Sequence, residues 1–213
     1  MIRGRFIFYI CIFSCLSMIF SSCSTKKKTW FSRQYHNTTA RYNGYFNGNE
    51  SIKYGVKKIN DSFEDDYSTI LPVFKTGNLK KAKSTQPYMD KAIQKGSIVI
   101  QKHSINIRGK EYCRWIDDNY FMIGKAYFYK GEFDESIKTF SFIIEEYKKS
   151  LISYSATLWL ARCFIEKQDY VSAEAILIDL ENNRLFPKEL KKEYEIINAD
   201  LNLRQKNYPL AKE

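Results

Sequence analysis

The sequence predicts an all-α protein assembled from consecutive helical hairpins. Long stretches repeat apolar residues with the 3.6-residue period of a helix, whereas the strict apolar–polar alternation of half-exposed strands is scarce. The 213 residues include only nine Gly and four Pro, and 44% are hydrophobic, which is the composition of a folded chain rather than a disordered one. That length corresponds to one large or two small domains.

Residues 1–22 are expected to be a signal peptide outside the fold. Two arginines precede an apolar run, Phe6–Phe20, that is shorter than the roughly 20 residues a membrane-spanning helix needs. The following Ile19–Cys23 resembles a bacterial lipobox, which implies that Cys23 becomes the lipidated N-terminus. Cleavage before Cys15 is a weaker alternative because it would divide the apolar run, and an uncleaved anchor also remains open.

Residues 23–29 are interpreted as the lipidated cysteine and a basic tether. Lys26–Lys28 form either a solvated spacer or a contact with anionic head groups. Ser24, rather than Asp, follows Cys23, and no acidic run follows it. By resemblance to other bacterial lipoproteins, these features imply the periplasmic face of the outer membrane.

Residues 30–110 are expected to be an N-terminal helical region with a degenerate repeat. A hairpin is predicted over 30–60 with its turn at Asn43–Asn49, followed by a short helix over 63–71 that ends at a proline. A basic connector bounded by Gly77 and Pro87 leads to a helix over 88–104, and residues 106–110 form a link. The aromatic run Tyr35, Tyr42, Tyr45 and Phe46 is expected to pack in the core rather than to form a base-stacking platform.

The stretch 117–150 carries the strongest pattern in the chain. Gly124 and Ser136 are small where two antiparallel helices would cross, Tyr127 and Phe140 would fill the space between them, and Gly131 would end the first helix. At 34 residues this stretch resembles a tetratricopeptide repeat. Residues 154–187 repeat the pattern, and 192–213 match part of a third repeat, so residues 111–213 are predicted to be an α-solenoid of degenerate tetratricopeptide repeats.

Such repeats stack so that the first helix of each pair lines a concave surface, which implies protein binding. The candidate partner-binding residues of this groove are Phe121, Lys125, Tyr129, Leu158, Arg162 and Glu166. Several of the apolar ones are equally compatible with core packing. Because Cys113 and Cys163 lie in different registers of the repeat, both are expected to be free thiols.

A second resemblance covers residues 23 to about 180. His36–Gly48, Tyr88–Ile93, Gly109–Tyr112 and Trp115–Asp118 are similar to segments of the SprE/PorW family of Bacteroidota-type bacteria. Its members are lipoproteins associated with gliding motility and type IX protein secretion. The resemblance implies a membrane-anchored scaffold in the periplasm that binds other envelope or secretion-system proteins.

The sequence offers no support for catalysis. His36 and His103 are far apart in sequence, and no HExxH, CxxC, P-loop, GxGxxG or GxSxG pattern occurs. We therefore expect no enzyme, no metal, no cofactor and no small-molecule substrate. The basic residues concentrate before residue 115, but the signal peptide argues against nucleic acid as their partner.

Two alternative functions remain open for such a scaffold. One is a general periplasmic adaptor lipoprotein for envelope assembly. The other is a nutrient-binding outer-membrane lipoprotein, although no sugar-binding pocket is evident. At the C-terminal end, Ile197, Leu201, Tyr208 and Leu210 are expected to lack the second helix that would cover them, unless Lys188–Lys206 caps the solenoid.

Overall fold

The computed structural model describes residues 29–75, 79–148 and 150–210, with the backbone alone for 79–82. The predicted signal peptide, Cys23 and Lys26–Lys28 lie outside these described residues. The elements, in chain order, are α1 (Trp30–Thr39), a π-helical segment (Ala40–Phe46), α2 (Asn47–Asp61), α3 (Leu79–His103), β1 (Asn106–Ile107), β2 (Lys110–Glu111), α4 (Ile116–Lys130), α5 (Phe133–Glu146), α6 (Leu151–Glu166), α7 (Tyr170–Glu181), a 3-10 turn (Lys188–Leu190) and α8 (Lys191–Arg204).

The predicted all-α, solenoid-like architecture is confirmed. From α2 to α8, each helix packs against the next one in sequence, and the only sheet in the described ranges is the β1–β2 pair. Alternate helices also touch, because α4 contacts α6 and α6 contacts α8. Within the described ranges, no helix is both long enough and apolar enough to span a bilayer.

The hairpin predicted over residues 30–60 is wrong, because α1, the π-helical segment and α2 form one continuous helix. The chain keeps helical dihedrals through Thr39, Phe46 and Asn47. The glycines that suggested a turn allow close helix packing instead, because a Cβ on Gly44 would overlap a methyl group of Val99. The local composition therefore indicated a turn where tertiary packing selects a helix.

The expectation that the aromatic run packs in the core is also wrong for three of its four members. Tyr35, Tyr42 and Phe46 are exposed, and only Tyr45 is half-buried, with its ring 5.3 Å from that of Trp115. Because the hairpin turn does not exist, no second helix of a hairpin covers these side chains, although the ring of Tyr35 lies 6.1 Å from that of His103 on α3.

The short helix predicted over residues 63–71 does not form. Residues 63–75 are an irregular connector, in which Asp66 Oδ1 accepts hydrogen bonds from the backbone N–H and the hydroxyl of Ser68. Such a local turn competes with a helix. The following helix α3 begins earlier than predicted, at Leu79, and includes Pro87, whose missing N–H interrupts one helical hydrogen bond.

The link predicted after α3 is a two-residue β-hairpin. Arg108 and Gly109 both have positive φ, at 55° and 76°, which is the backbone of a type I′ turn. Glu111 Oε1 fixes the exit of the hairpin by accepting hydrogen bonds from the backbone N–H groups of Ile105, Tyr112 and Cys113. The hairpin therefore sets the direction in which the chain enters α4.

Helices α4 and α5 form the helical hairpin expected within residues 117–150. Gly131 ends α4 in the left-handed conformation, with φ of 80°. Ser136 Oγ donates a hydrogen bond of 2.9 Å to the carbonyl oxygen of Gly124. A Cβ on Gly124 would lie 2.6 Å from a ring carbon of Phe140, so this crossing requires glycine.

Helices α6 and α7 form the next hairpin, and α8 packs on both of them. The expectation that Ile197 and Leu201 would be uncovered is wrong, because both are buried in the cluster that α6 and α7 contribute. Tyr208 and Leu210 are exposed, as expected. Helix α8 therefore buries its apolar side against the preceding hairpin.

Candidate functional site

The candidate site lies where α4, α6 and α8 come side by side. We call this surface the groove and define it by Lys125 and Tyr129 of α4, Arg162 and Glu166 of α6, and Arg204 of α8. Alternate helices of the solenoid meet here because each hairpin presents its first helix on the same side. This is the side on which sequence analysis placed the partner-binding residues.

Trp159 of α6 joins the helices beneath the groove. Its ring centroid lies 5.3 Å from that of Phe128, 5.8 Å from Tyr129 and 6.2 Å from Phe121. Its indole Nε1 donates a hydrogen bond of 3.1 Å to Glu193 Oε1 of α8. Aromatic pairs at such distances stabilise packing beyond their buried area.

Two cations of the groove lie on this aromatic cluster. Lys125 Nζ is 5.1 Å from the Trp159 ring centroid, and the guanidinium carbon of Arg162 is 4.1 Å from the same ring. Burial lowers the pKa of Lys125, while the charge of Glu193 opposes that shift. Cation–π contacts of this kind are stronger when the cation is desolvated. Both side chains are therefore held in place rather than free to sample solvent.

At one end of the groove, an ion-pair network joins α6 and α8. Arg204 Nη2 lies 2.7 Å from Glu166 Oε1, and Arg204 Nε lies 3.2 Å from Asp200 Oδ2. Burial raises the pKa of Asp200, and its ion pair with Arg204 opposes this shift. The network fixes the spacing of α6 and α8 at one end of the groove.

A segment of the chain itself occupies the groove. Phe74, from the connector between α2 and α3, packs against the cluster of α6, α7 and α8, and the guanidinium carbon of Arg162 lies 4.0 Å from its ring centroid. Ile70, Pro72 and Phe74 border a cleft of about 420 Å³ together with Glu166 of α6 and with residues of α7 and α8. Lys75 forms an ion pair within this segment, with its Nζ 3.1 Å from Asp65 Oδ1.

The predicted site residues thus have different environments. Lys125, Tyr129, Arg162 and Glu166 come together at the groove, and Phe121 packs partly buried against the Trp159 cluster. Leu158 is a correction: it is 0% exposed inside the core of α6, α7 and α8, so it cannot contact a partner. Its position on α6 faces the second helix of the hairpin.

Sequence reasoning missed Trp159, Arg204 and Phe74. Trp159 lies three residues before Arg162, so the i, i+3 spacing on one helix could have paired them. Phe74 carries no such signal, because its contact with Arg162 spans 88 residues of sequence and depends on the path of an irregular connector.

The groove accommodates an irregular apolar segment of the same chain, whose Phe74 ring packs on the guanidinium group of Arg162. Among the described residues, no three His, Cys, Asp or Glu side chains cluster as metal ligands would. A scan of the sequence against protein-family models found no match, and a search of curated proteins found none either. The site is therefore interpreted from its own geometry.

Proposed function

We propose that this chain is a membrane-anchored scaffold that binds other envelope or secretion-system proteins through the groove. The observation that supports the proposal is the occupied groove itself. An irregular apolar segment already lies there, with Phe74 packed on Arg162 and on the core of α6, α7 and α8. A partner segment that carries an aromatic side chain would make the same contacts after displacing Phe74.

The groove side chains suit binding more than catalysis. Arg162 is 7% exposed and is held by three aromatic rings, and Glu166 is paired with Arg204. A catalytic acid or base would need a free side chain positioned at a substrate pocket. The proposed role is recognition of another polypeptide by helical repeats of the tetratricopeptide type.

The location in this proposal comes from the N-terminal sequence. The lipobox-like Ile19–Cys23 supports a lipid anchor at Cys23 on the periplasmic face of the outer membrane. The similarity of residues 23–180 to the SprE/PorW family supports a role in type IX secretion and gliding motility.

Site-specific photo-crosslinking in cells tests the proposed binding surface. A photoreactive phenylalanine at Tyr129 should crosslink an envelope or secretion-system protein, because Tyr129 is half-buried at the groove. The same amino acid at Val171, which is 80% exposed on α7, is the matched control. Equal crosslinking to the same proteins from both positions would contradict the groove as the binding surface.

Mass spectrometry of the mature protein tests the anchor. The expected N-terminus is Cys23 carrying acyl chains, and Cys23→Ala should leave an uncleaved or unacylated protein. A mature N-terminus that begins before residue 23 without acyl chains would refute the lipoprotein assignment.

A further inference from the structure

A second cleft lies at the opposite end of the chain from the groove. It has a volume of about 540 Å³, and its two walls come from α1 with the π-helical segment and from the chain that leads from β2 into α4. The lining residues include three arginines and four aromatic residues: Arg33, Arg41, Arg114, Trp30, Tyr42, Tyr112 and Trp115.

The first wall is a stripe with helical spacing. Trp30, Arg33, Asn37 and Arg41 follow one another by three or four residues, so the continuous helix presents them on one side. The stripe precedes the turn predicted at Asn43–Asn49, so a hairpin there would also have formed it. The alignment of the stripe with the second wall, however, depends on the π-helical segment, which packs on both α3 and α4.

The second wall is fixed to the first by hydrogen bonds. The backbone N–H of Arg114 donates a 2.7 Å hydrogen bond to Asn37 Oδ1, and Cys113 Sγ lies 3.9 Å from the carbonyl oxygen of His36. Arg41 stacks on Trp115, with 5.1 Å between its guanidinium carbon and the ring centroid. The three arginines therefore line a cleft whose walls are held together.

These arginines lack acidic partners. None of Arg33, Arg41 and Arg114 forms an ion pair within the part of the chain that the structure describes. Arg33 Nε is buried without a hydrogen-bond partner. Asp118 also lines the cleft; burial, followed by the charge of Asp117, raises its pKa to about 6. The cleft thus has more positive than negative groups.

The rim of the cleft is aromatic and exposed. Trp30 is 59% exposed, and its neighbour Phe31 is 75% exposed, with the two rings 4.9 Å apart. Large exposed aromatic side chains beside arginines are typical of surfaces that contact the boundary between lipid and water. A soluble anion alone would not require these side chains.

We propose that this cleft binds the phosphate of an anionic phospholipid head group, with Trp30 and Phe31 entering the membrane interface. Guanidinium groups bind phosphate through paired N–H donors, which is the chemistry that the three arginines lining this cleft offer. The cleft is thus a second membrane contact, in addition to the acyl chains.

The proposal rests on the lipid anchor at Cys23 that is part of the proposed function. Only six residues separate Cys23 from Trp30, and a fully extended chain of that length spans at most about 25 Å. A lipidated Cys23 would therefore keep the rim of the cleft within that distance of the bilayer. Because three arginines contribute in addition to the anchor, the surface facing the membrane would be fixed.

Vesicle binding tests the proposal without the acyl anchor. A chain starting at residue 24 keeps every described residue, and its fold is checked by circular dichroism. It is mixed with vesicles of phosphatidylcholine containing 30% phosphatidylglycerol, and with vesicles of phosphatidylcholine alone. We expect binding to the first, a blue shift of tryptophan fluorescence, and quenching of Trp30 by brominated lipid.

The variant Arg33→Gln/Arg41→Gln/Arg114→Gln measures the contribution of the cleft. An arginine near an anionic surface contributes about fivefold in affinity, so the variant should bind about 100-fold more weakly. The matched control is Arg184→Gln/Lys188→Gln/Lys192→Gln, which removes the same charge from exposed positions beyond α7. Since Arg33 is partly buried, Arg114→Glu alone, at an exposed position, is the second variant and should also weaken binding.

Equal loss of binding in the cleft variant and the matched control would overturn the proposal. Binding of an oligoglutamate peptide at the cleft, combined with no binding to the anionic vesicles, would also overturn the proposal. That result would indicate an acidic protein partner. The anchor is judged separately: a mature protein that lacks acyl chains refutes the lipid anchor, whereas an acylated protein whose cleft does not bind anionic vesicles refutes only the cleft as a lipid site.

Discussion

Phe74 lies over the guanidinium group of Arg162, with 4.0 Å between the Arg162 Cζ atom and the ring centroid. The two residues belong to parts of the chain that local sequence does not connect. Arg162 in turn lies over Trp159 and Phe128, so the ring of Phe74 extends an aromatic cluster that continues into the core. In this structure, the groove therefore already contains a segment of the polypeptide chain.

Phe74→Ala should open the groove. Removal of a partly buried phenylalanine that packs on a core is expected to lower the free energy of unfolding by about 1–3 kcal/mol. Protease cleavage in the connector, at Lys75, should become faster because the segment loses its anchor. Urea unfolding and limited proteolysis measure both effects. Val73→Ala, at an exposed neighbouring position, is the control and should change neither.

Gly124→Ala should destabilise the crossing of α4 and α5. The added methyl group would meet three ring carbons of Phe140 at 2.6 to 3.0 Å, and a buried ring has no free space to move into. Such overpacking costs about 1–3 kcal/mol.

The matched control for that change is Gly55→Ala. Its methyl group would meet the flexible end of the buried Met89 side chain and would lie 3.3 Å from Tyr88 Cβ, but alanine is favoured over glycine in a helix by roughly 1 kcal/mol. Thermal unfolding of both variants should show a larger decrease of the midpoint for Gly124→Ala than for Gly55→Ala. The reverse order would contradict the packing described for α4 and α5.

The pair His36 and His103 should make stability depend on pH. Their Nδ1 atoms are 2.8 Å apart, so one ring must accept the hydrogen bond and stay neutral. Burial lowers the pKa of both rings, and Lys102 adds to the effect on His103. A lowered folded pKa means that this stabilisation is fully present above the unfolded pKa of about 6.5 and is lost as pH falls through the folded value.

The measurement for this pair is the difference in unfolding midpoint between the native chain and His103→Gln, from pH 7.5 to pH 5. The difference isolates the pair from Asp117 and Asp118, whose raised pKa values act in the opposite direction. We expect the native chain to lose more stability than His103→Gln as pH falls. Parallel curves would show that the pair does not couple protonation to folding.

Both thiols of the fold should be unreactive until the chain unfolds. Burial raises the pKa of Cys113 to about 11 and that of Cys163 to about 12, and thiolate is the reactive form. Both cysteines are free and buried. In a chain starting at residue 24, a thiol reagent at pH 8 should find no fast-reacting group in the native state and two after denaturation without reductant. A count of zero after denaturation would indicate a disulfide.

The sequence was most informative where the backbone preference of a residue and its role in helix packing predict the same structure. Gly131 ends α4, and Gly124 and Ser136 mark a close crossing, because the same small residues serve both the backbone and the neighbouring helix. It was least informative at Asn43–Asn49, where Gly44 and Gly48 accommodate Val99 and Met122 within a continuous helix. Glycine is needed for both turns and close contacts, so composition alone could not distinguish the two.

At the candidate sites too, some residues could be predicted from sequence periodicity and others could not. The side of α4 and α6 that forms the groove followed from the repeat register, whereas Phe74 did not, because an irregular connector has no periodicity to read. The cleft at α1 was missed although Trp30, Arg33, Asn37 and Arg41 follow helical spacing. Its second wall, with Arg114 and Trp115, comes from a β-hairpin that sequence analysis described only as a link.

The most direct test of the central claim is peptide binding to the opened groove. A fluorescent peptide with the sequence of residues 68–75 is titrated into the native chain and into Phe74→Ala, and binding is followed by anisotropy. We predict saturable binding to Phe74→Ala, at least about tenfold weaker binding to the native chain because its own segment competes, and loss of binding when the phenylalanine of the peptide is replaced by alanine. Equal binding to both proteins, or no binding to Phe74→Ala, would contradict the groove as a peptide-binding surface.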